Sequence, residues 1–318
     1  PNSPRDLRLA NPVIPASGCF GYGIEYSTVI DIQRLGAFVS KGITPKPRSG
    51  NAMPRIAETP AGMLNAIGLQ NPGIKAFVKK YPPIWETWSV PAIVNISAET
   101  VEDFAEMAAI LDEQPGIAGI EVNVSCPNIH AHGFCFGWDP EMTAEVTRAV
   151  RGVTTLPIII KLSPGAVDIV AIAAAAEEAG ADAVSLINTM VGMEIDTRRR
   201  RPTLANRTGG LSGPAIRPVA VRMVYQVAGA VSIPVVGLGG INDLDDALQF
   251  FMAGASAIQI GTGIFVQPGL PLRIIDELDA WLVKEGVPSL SEIVGVANPA
   301  VAARRTSTPG AGEGDLDA

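Results

Sequence analysis

The sequence predicts an α/β fold of the (β/α)8, or TIM-barrel, class, with a small subdomain and loops over the mouth formed by the carboxyl ends of the strands. Short, nearly continuous apolar runs alternate with helix-length segments along the 318 residues, which is typical of parallel strands covered on both faces. The sequence also echoes itself, since 157–160 resembles 234–236 and 179–183 resembles 253–257. This spacing is about two strand–helix units and favours a barrel over a doubly wound open sheet.

Eight strands and the helices between them can be placed in order along the chain. The predicted strands are 12–16, 37–40, 92–96, 119–124, 158–162, 183–187, 235–238 and 256–260. Thr100 and Asp103 indicate a capped helix that continues to about Glu113. Asn242 and Asp245 indicate the start of a later helix that ends at Gly254, because glycine commonly terminates helices.

Two segments are too long for the loops of a minimal barrel. Residues 44–91 are rich in proline and glycine and are predicted to form a subdomain over the mouth, whereas 188–213 form a long Arg/Gly-rich excursion after the sixth strand. Loops of this length are usually functional or disordered. We therefore expect one barrel domain over 1–298, followed by a flexible, low-complexity tail over 299–318.

Composition excludes several classes of protein. The 24 Lys and Arg against 32 Asp and Glu give a net charge of −8, which argues against a nucleic-acid or anionic-membrane surface. The three cysteines (19, 126 and 135) form no CxxC pair, so a disulfide framework, a zinc site or an iron–sulfur cluster on this chain is not expected. No signal peptide or good membrane span is found, and we expect a cytoplasmic protein.

Polar side chains are predicted at the carboxyl ends of six of the eight strands, where barrel enzymes place their chemistry. They are Lys41, Asn95, Asn123, Cys126, Asn128, Lys161, Asn188, Thr189 and Thr262. No carboxylate is among them, so neither Lys41 nor Lys161 is expected to have an acidic partner at a neighbouring strand end. The only two histidines, His130 and His132, share one loop, so no metal site or Ser–His–Asp triad is predicted.

Glycines after the last two strands indicate a phosphate site. Gly239-Gly240 is followed one strand–helix unit later by Gly261-Thr262-Gly263, and backbone amides at this position bind phosphate in many barrels. Because two lysines share the same mouth, the phosphate could belong to FMN, whose reduced anion a lysine would stabilise. Arg198–Arg201 are interpreted mainly as a solvated loop, with contact to a partner protein or to the flavin phosphate as the alternative.

Cys126 is the candidate reactive residue. It lies just past the fourth strand, between Ser125 and Pro127, with Asn123 and Asn128 on either side to hydrogen-bond a planar amide ligand. A thiol at this position could act as a general base. Cys19 and Cys135 are interpreted as small apolar residues.

These segments resemble the dihydroorotate dehydrogenase family, and within it the NAD-linked catalytic subunits of type 1B. The resemblance covers Leu9 to about Asn298. It rests on Asn11-Pro-Val-Ile-Pro-Ala-Ser-Gly18, Ser40-Lys-Gly-Ile-Thr44, Asn65-Ala-Ile-Gly-Leu-Gln-Asn71, Asn123-Val-Ser-Cys-Pro-Asn128, Asn188-Thr189, Thr208-Gly-Gly-Leu-Ser-Gly-Pro214, Gly239-Gly240 and Gly261-Thr262. Membrane-bound type 2 enzymes have serine at the position of Cys126.

The resemblance implies oxidation of (S)-dihydroorotate to orotate in de novo pyrimidine (UMP) biosynthesis. Cys126 would take the C5 proton while C6 delivers hydride to N5 of FMN. The implied substrate-binding residues are Lys41, Asn65, Ala66, Ile67, Gly68, Leu69, Asn123, Asn128, Asn188 and Thr189. The implied FMN-binding residues are Ser17, Lys41, Gly42, Asn95, Asn123, Lys161, Ile187, Gly213, Gly239, Gly240, Gly261 and Thr262.

The resemblance also implies a partner. Type 1B catalytic subunits work with a second subunit that carries FAD and a [2Fe–2S] cluster and passes electrons to NAD, in a heterotetramer built on a homodimer of the catalytic subunit. The low cysteine count fits a cluster held elsewhere. The loop after Asn128 departs from the family, since a glycine is missing and the bulky Trp138 is present. This change predicts a stiffer lid, with Cys135 as a second thiol near the site.

Three alternatives remain open from the sequence. A subunit similar to dihydropyrimidine dehydrogenase would use the same barrel, FMN and loop cysteine on uracil or thymine. A flavin-free aldolase would form a Schiff base on Lys161 or Lys41. A catalytically silent scaffold for a partner subunit is the third alternative, and the intact Cys126 argues against it.

Overall fold

A closed ring of eight parallel strands forms the centre of the molecule in the computed structural model, which describes residues 6–125 and 135–307. The strands of the described chain are β1 Val13–Pro15, β2 Phe38–Val39, β3 Ile56–Thr59, β4 Gly62–Asn65, β5 Ala92–Ile96, β6 Gly119–Asn123, β7 Ile158–Lys161, β8 Ala183–Leu186, β9 Met190–Met193, β10 Ile195–Asp196, β11 Arg201–Pro202, β12 Thr208–Ser212, β13 Val235–Leu238 and β14 Ala257–Ile260. The helices are α1 Ile74–Lys80, α2 Pro82–Trp85, α3 Val101–Asp112, α4 Pro140–Arg151, α5 Ile169–Glu178, α6 Arg217–Ala230, α7 Leu244–Ala253, α8 Gly263–Val266, α9 Leu270–Glu285 and α10 Pro299–Ser307.

The ring confirms the predicted (β/α)8 barrel. Its strands pair in the order β1-β14-β13-β8-β7-β6-β5-β2, and a hydrogen bond from Gly36 N to Val13 O (3.1 Å) joins the two ends. Each of the eight predicted apolar runs contains one of these strands. The runs are mostly apolar because helices cover the outer face while side chains fill the inside.

Caps fix where the surrounding helices begin. The Thr100 hydroxyl accepts a hydrogen bond from Asp103 N (3.0 Å), which confirms the predicted start of α3. For α7 the prediction is wrong by one residue, because Asp243 rather than Asn242 is the cap and accepts from Asp246 N (2.9 Å). Gly254 ends α7 as predicted. None of the helices in the described ranges has both the length and the apolar character needed to cross a membrane.

The two long excursions combine into a second sheet. Strands β3 and β4 come from the first excursion and β9 and β12 from the second, and they pair antiparallel in the order β3-β4-β12-β9. The register places Asn65 opposite Gly210. Because β9 follows β8 after a short connection, this sheet lies at the carboxyl ends of the barrel strands. Residues 198–201 are exposed around the β10–β11 hairpin, which agrees with a solvated loop.

The predicted flexible tail is partly a helix. Residues 299–307 form α10, with Val301 buried and the Arg304 guanidinium donating to Gly229 O (3.0 Å) near the end of α6. The expectation of a mobile segment from residue 299 is therefore wrong for these nine residues. An alanine-rich segment that looks featureless in sequence becomes ordered because its apolar side finds a neighbouring helix. Residues 308–318 lie outside the described residues.

The barrel interior changes from apolar to polar towards the mouth. One layer consists of apolar side chains, among them Ile14, Val39, Ile93, Ile159 and Val236. Nearer the carboxyl ends of five strands, the inward face instead carries buried polar side chains. These are Asn95, Glu121, Lys161, Ser185 and Gln259, which we call the polar floor. Barrel interiors are dominated by branched apolar residues, so a polar layer marks the functional end.

Candidate active site

Lys161, at the end of β7, lies at the mouth of the barrel with a side chain that is only 5% exposed. Its Nζ donates to Ser17 Oγ (2.9 Å) and lies 3.6 Å from Glu121 Oε1. The structure thus brings together Ser17 and Lys161, two predicted cofactor residues. The expectation that Lys161 lacks an acidic partner is wrong, because Glu121 on the neighbouring strand β6 pairs with it.

Glu121 is the main residue that sequence reasoning missed. It lies inside the apolar run of β6 and is fully buried. Its carboxylate accepts hydrogen bonds from three other strands: Asn95 Nδ2 (2.8 Å), Ser185 Oγ (3.0 Å) and Gln259 Nε2 (2.8 Å). The available signal was period-two alternation, which puts Glu121 on the same inward face as Asn123.

A group of amide and hydroxyl side chains lines the mouth above β6 and β8. Asn188 Nδ2 donates to Asn123 Oδ1 (3.4 Å), and Asn188 Oδ1 accepts from Thr189 N (2.8 Å). Asn65 reaches the same group through the second sheet, since its Nδ2 donates to Gly210 O (3.3 Å). A Cβ at Gly210 would lie 2.1 Å from Thr189 Oγ1, so only glycine fits between them. Four predicted substrate residues (65, 123, 188 and 189) are thereby connected, and we call them the amide cluster.

The segment that follows Asn65 is shaped by Asn71. Asn71 is buried, its Nδ2 donates to Leu69 O (2.6 Å) and Thr44 Oγ1 (2.7 Å), and its Oδ1 accepts from Gly73 N (2.8 Å). These bonds hold Leu69 in the left-handed region (φ 54°), which few branched residues occupy. Asn71 was quoted in the sequence motif without a role. The signal was an asparagine two residues before a glycine, a frequent turn pattern.

Lys41 provides a second cation at the mouth. Its backbone N donates to Gly21 O (2.7 Å), which anchors the chain after β2. Burial lowers the pKa of its ammonium group and the nearby Arg55 guanidinium lowers it further, whereas the Glu25 carboxylate acts in the opposite direction. Lys41 therefore lies in a net positive environment that favours an anionic ligand.

The predicted phosphate-binding residues come together from three strand ends. Thr262 Oγ1 donates to Ser212 Oγ (2.7 Å), which joins the end of β14 to the end of β12. Gly240, after β13, approaches Gly213 so closely that a Cβ would lie 2.6 Å from Gly213 O, and its φ of 78° also favours glycine. Gly239 lies against Ile187 and Gly261 follows β14. Backbone and hydroxyl donors at such a junction suit a phosphate group.

The residues present fit an FMN molecule. A Cβ at Gly18 would meet no atom within 4 Å, and at Gly261 it would meet only Cys19 Sγ and Ala16 Cβ at 3.4 and 3.7 Å. Both glycines therefore leave open space at the carboxyl ends of β1 and β14. Within the described residues, the buried Gln259 Oε1 has no hydrogen-bond partner. The ammonium, hydroxyl, amide and glycine-backbone groups gathered here suit a phosphate joined to a flat polar ring.

The other two cysteines are not reactive in this setting. Burial raises the pKa of the Cys19 thiol to about 11, although the Lys161 ammonium partly offsets this rise. Cys19 therefore stays a thiol near neutral pH, as expected of a small apolar residue. Cys135 is buried and its Sγ lies 3.0 Å from Val124 O.

Two predicted site residues, Cys126 and Asn128, lie outside the described residues, as do His130 and His132 of the same loop. Ser125, which precedes Cys126, donates from its hydroxyl to Lys161 O (3.1 Å) and from its backbone to Asn123 Oδ1 (3.1 Å). The chain thus enters the loop directly beside the amide cluster. On its far side, Trp138 lies in a 3-10 turn, where its indole packs near Gly165.

Comparison with known proteins gives one consistent result. The family model described as "Dihydroorotate dehydrogenase" matches residues 4–282. Proteins from Pelobacter propionicus and Trichlorobacter lovleyi are each 53% identical over 289 residues, 91% of this chain and 95% of theirs. A protein from Geobacillus kaustophilus is 50% identical over 91% of this chain and 92% of its own. All three carry the name "Dihydroorotate dehydrogenase B (NAD(+)), catalytic subunit".

Proposed function

This chain belongs to the dihydroorotate dehydrogenase family, and from that premise we propose that it oxidises (S)-dihydroorotate to orotate with bound FMN in pyrimidine biosynthesis. The observation that carries the proposal is the amide cluster (Asn65, Asn123, Asn188 and Thr189), which lies beside the Lys161–Ser17 pair. A pyrimidine ring presents alternating N–H donors and carbonyl acceptors, and amide side chains can satisfy both. The relatives' names agree with this reaction.

The chain's own residues divide into a substrate side and a cofactor side. On the substrate side, the amide cluster would orient the pyrimidine ring and the backbone of 66–69 would add contacts. Lys41 would pair with the substrate carboxylate. On the cofactor side, Ser17, Gly42, Asn95, Lys161 and Ile187 would surround the flavin ring, with Asn123 and Lys41 at the boundary. Gly213, Gly239, Gly240, Gly261 and Thr262 would bind its phosphate.

Cys126 is proposed as the general base that removes the C5 proton, and Asn128 as a further substrate contact. The reaction removes a proton from C5 and two electrons with the C6 hydrogen, so the ring gains a C5=C6 double bond. FMN, when bound, supplies the acceptor for those two electrons. A base must lie within hydrogen-bond reach of the proton that it takes, and Ser125, immediately before Cys126, is held against Asn123.

The anaerobic absorbance spectrum of the FMN-loaded protein tests the proposed function. We expect dihydroorotate, but not dihydrouracil, to bleach the flavin bands. Bleaching by dihydrouracil alone would indicate a dihydropyrimidine dehydrogenase activity instead. A Schiff-base aldolase would instead bind no FMN, and borohydride would link it covalently to a carbonyl substrate. That result would contradict the proposal.

The partner is the second part of the proposal. The relatives are named catalytic subunits and their names include NAD(+). We propose that this chain also works with an electron-transfer subunit that carries FAD and a [2Fe–2S] cluster, in a heterotetramer built on a homodimer, in the cytoplasm. The mass of the co-purified complex and its iron and FAD content would test this assembly.

A further inference from the structure

A buried carboxylate lies at the centre of the polar floor and has no part in the reaction as described above. Glu121 is fully buried, and four side chains from four other strands or strand ends surround it. Three of them donate hydrogen bonds and the fourth is the Lys161 ammonium at 3.6 Å. All four contacts therefore suit an ionised acceptor.

Stability alone does not explain this arrangement. Burying two charges is costly, and replacing a buried ion pair by apolar residues is often neutral or stabilising. The adjacent layer of the same barrel is filled by apolar residues such as Ile93 and Ile159. A carboxylate one layer higher, where the site begins, therefore points to a role in the site.

The geometry shows what Glu121 does to its neighbours. It accepts from Asn95 Nδ2 (2.8 Å), which leaves Asn95 Oδ1 directed towards Gly42, where a Cβ would lie 2.9 Å from that oxygen. It also holds Lys161, whose Nζ is fixed between Glu121 and Ser17 Oγ. Glu121 is itself fixed by Ser185 and Gln259, so neither the lysine nor the asparagine is free to reorient.

We propose that Glu121 is the positioning residue of the cofactor site: it orients Lys161 and Asn95 towards the flavin and limits the positive charge that Lys161 presents to it. The proposal rests on FMN binding under the proposed function. A negative charge close to the lysine weakens the stabilisation of the anionic reduced flavin. Glu121 would thus lower the midpoint potential of the bound cofactor.

Midpoint potentials of the FMN-loaded proteins, measured against reference dyes, test the proposal. Glu121→Gln removes the charge at nearly constant shape and should favour reduced flavin at least tenfold, a rise of about 30 mV for a two-electron couple. Lys161→Met should shift the potential in the opposite direction. The double variant should lie between the two single variants. FMN dissociation constants from flavin fluorescence should rise at least tenfold for Glu121→Gln, because Lys161 and Asn95 lose their fixed orientation.

Ser185→Ala is the matched control, since it removes one hydrogen bond to Glu121 without changing any charge. It should lower the thermal midpoint while the potential stays at the wild-type value. Equal potentials for Glu121→Gln and the wild type, with only a lower thermal midpoint, would overturn the proposal. A shift in Ser185→Ala as large as that in Glu121→Gln would also overturn it.

A second variant covers the case in which Glu121→Gln does not fold. Exchanging the two residues, as Glu121→Gln with Gln259→Glu, keeps the donor–acceptor pair and the net charge but moves the carboxylate to β14. Its potential should also rise, and a wild-type value would overturn the proposal. The potential is measured without dihydroorotate. If the potential shifts in the Glu121 variants but dihydroorotate does not bleach the wild type, only the proposed function is contradicted. If dihydroorotate bleaches the wild type but the variants show no shift, only this inference is contradicted.

Discussion

At the scale of single residues, the substrate side of the site depends on amide side chains that hydrogen-bond to one another and to nearby backbone. Asn188 donates to Asn123 and accepts from the backbone of Thr189, while Asn65 donates to Gly210. Each amide retains further donor or acceptor capacity for a polar ring. Sites built in this way strongly reject analogues that lack the matching group, because their buried polar atoms are left unpaired.

Removing one of these amides should weaken ligand binding. Asn65→Ala is expected to reduce orotate affinity about tenfold, since a polar group of the ligand would lose its partner. Isothermal titration calorimetry with orotate measures this directly. Asn206→Ala serves as the control, since the exposed Asn206 side chain donates to Thr208 O, outside the proposed substrate site. An unchanged orotate affinity in Asn65→Ala would mean that Asn65 does not contact the substrate.

The proposed base gives a second prediction. Cys126→Ser should slow flavin reduction by dihydroorotate about 10²–10⁴-fold, the usual contribution of a general base, while FMN stays bound. In the wild type, the rate should rise with pH until the thiol is ionised, near pH 8.5 for an ordinary cysteine. Stopped-flow absorbance measures both effects. Reduction of Cys126→Ser at the wild-type rate would refute the assignment.

Lys41 predicts how substrate binding depends on pH. Its pKa is lowered, mainly by burial and then by Arg55, so its charge is lost at a lower pH than that of an ordinary lysine, near 10.4. Because the ammonium pairs with the substrate carboxylate in our proposal, orotate affinity should fall as the pH rises through this lowered pKa. Arg55→Gln should move the fall to higher pH. Lys41→Met should abolish it, whereas Lys46→Met, at an exposed position, should not.

At the scale of elements, one carboxylate joins the end of α3 to the turn that starts β7. Burial would raise the pKa of Asp112, but hydrogen bonds from Thr154, Thr155 and Leu156 outweigh it and hold this pKa below its usual range. A lowered carboxyl pKa stabilises the fold above the unfolded-state value, about 3.9. This contribution is lost as the pH falls through the lower folded-state value.

Asp112→Asn should therefore lower the free energy of unfolding by about 1 kcal/mol at pH 7, the net contribution of a typical hydrogen bond. The difference from wild type should shrink as the pH is lowered below about 4. Urea unfolding at several pH values tests this, with the adjacent exposed Glu113→Gln as control. A difference that is the same at pH 3 and pH 7 would show that the carboxylate charge does not matter.

The sheet built from the two excursions is the element that completes the site. It pairs β4 with β12, although about 145 residues separate Asn65 from Gly210 along the chain. The four strands are only four or five residues long, and three of them contain glycine, which is disfavoured in strands. Their pairing follows from the positions of their ends at the barrel mouth, which bring distant backbones into register.

At the scale of the whole molecule, the proposed division of labour between subunits can be tested on the chain alone. The purified, FMN-loaded protein should oxidise dihydroorotate with a dye as electron acceptor but should not reduce NAD, because its three cysteines cannot supply an iron–sulfur cluster. Adding the partner subunit should restore NADH formation, measured at 340 nm. Reduction of NAD by the chain alone would show that no electron-transfer subunit is needed.

The sequence by itself determined the barrel and most of its mouth. Apolar runs such as Ile158–Lys161 identify buried parallel strands from local pattern alone, and the rule that chemistry lies at their carboxyl ends selects residues such as Lys161 and Asn123. Only the tertiary structure decided that Glu121 pairs with Lys161, that Asn71 shapes the segment after Asn65, and that 299–307 pack as a helix. These features depend on contacts between residues far apart in sequence, which local periodicity does not encode.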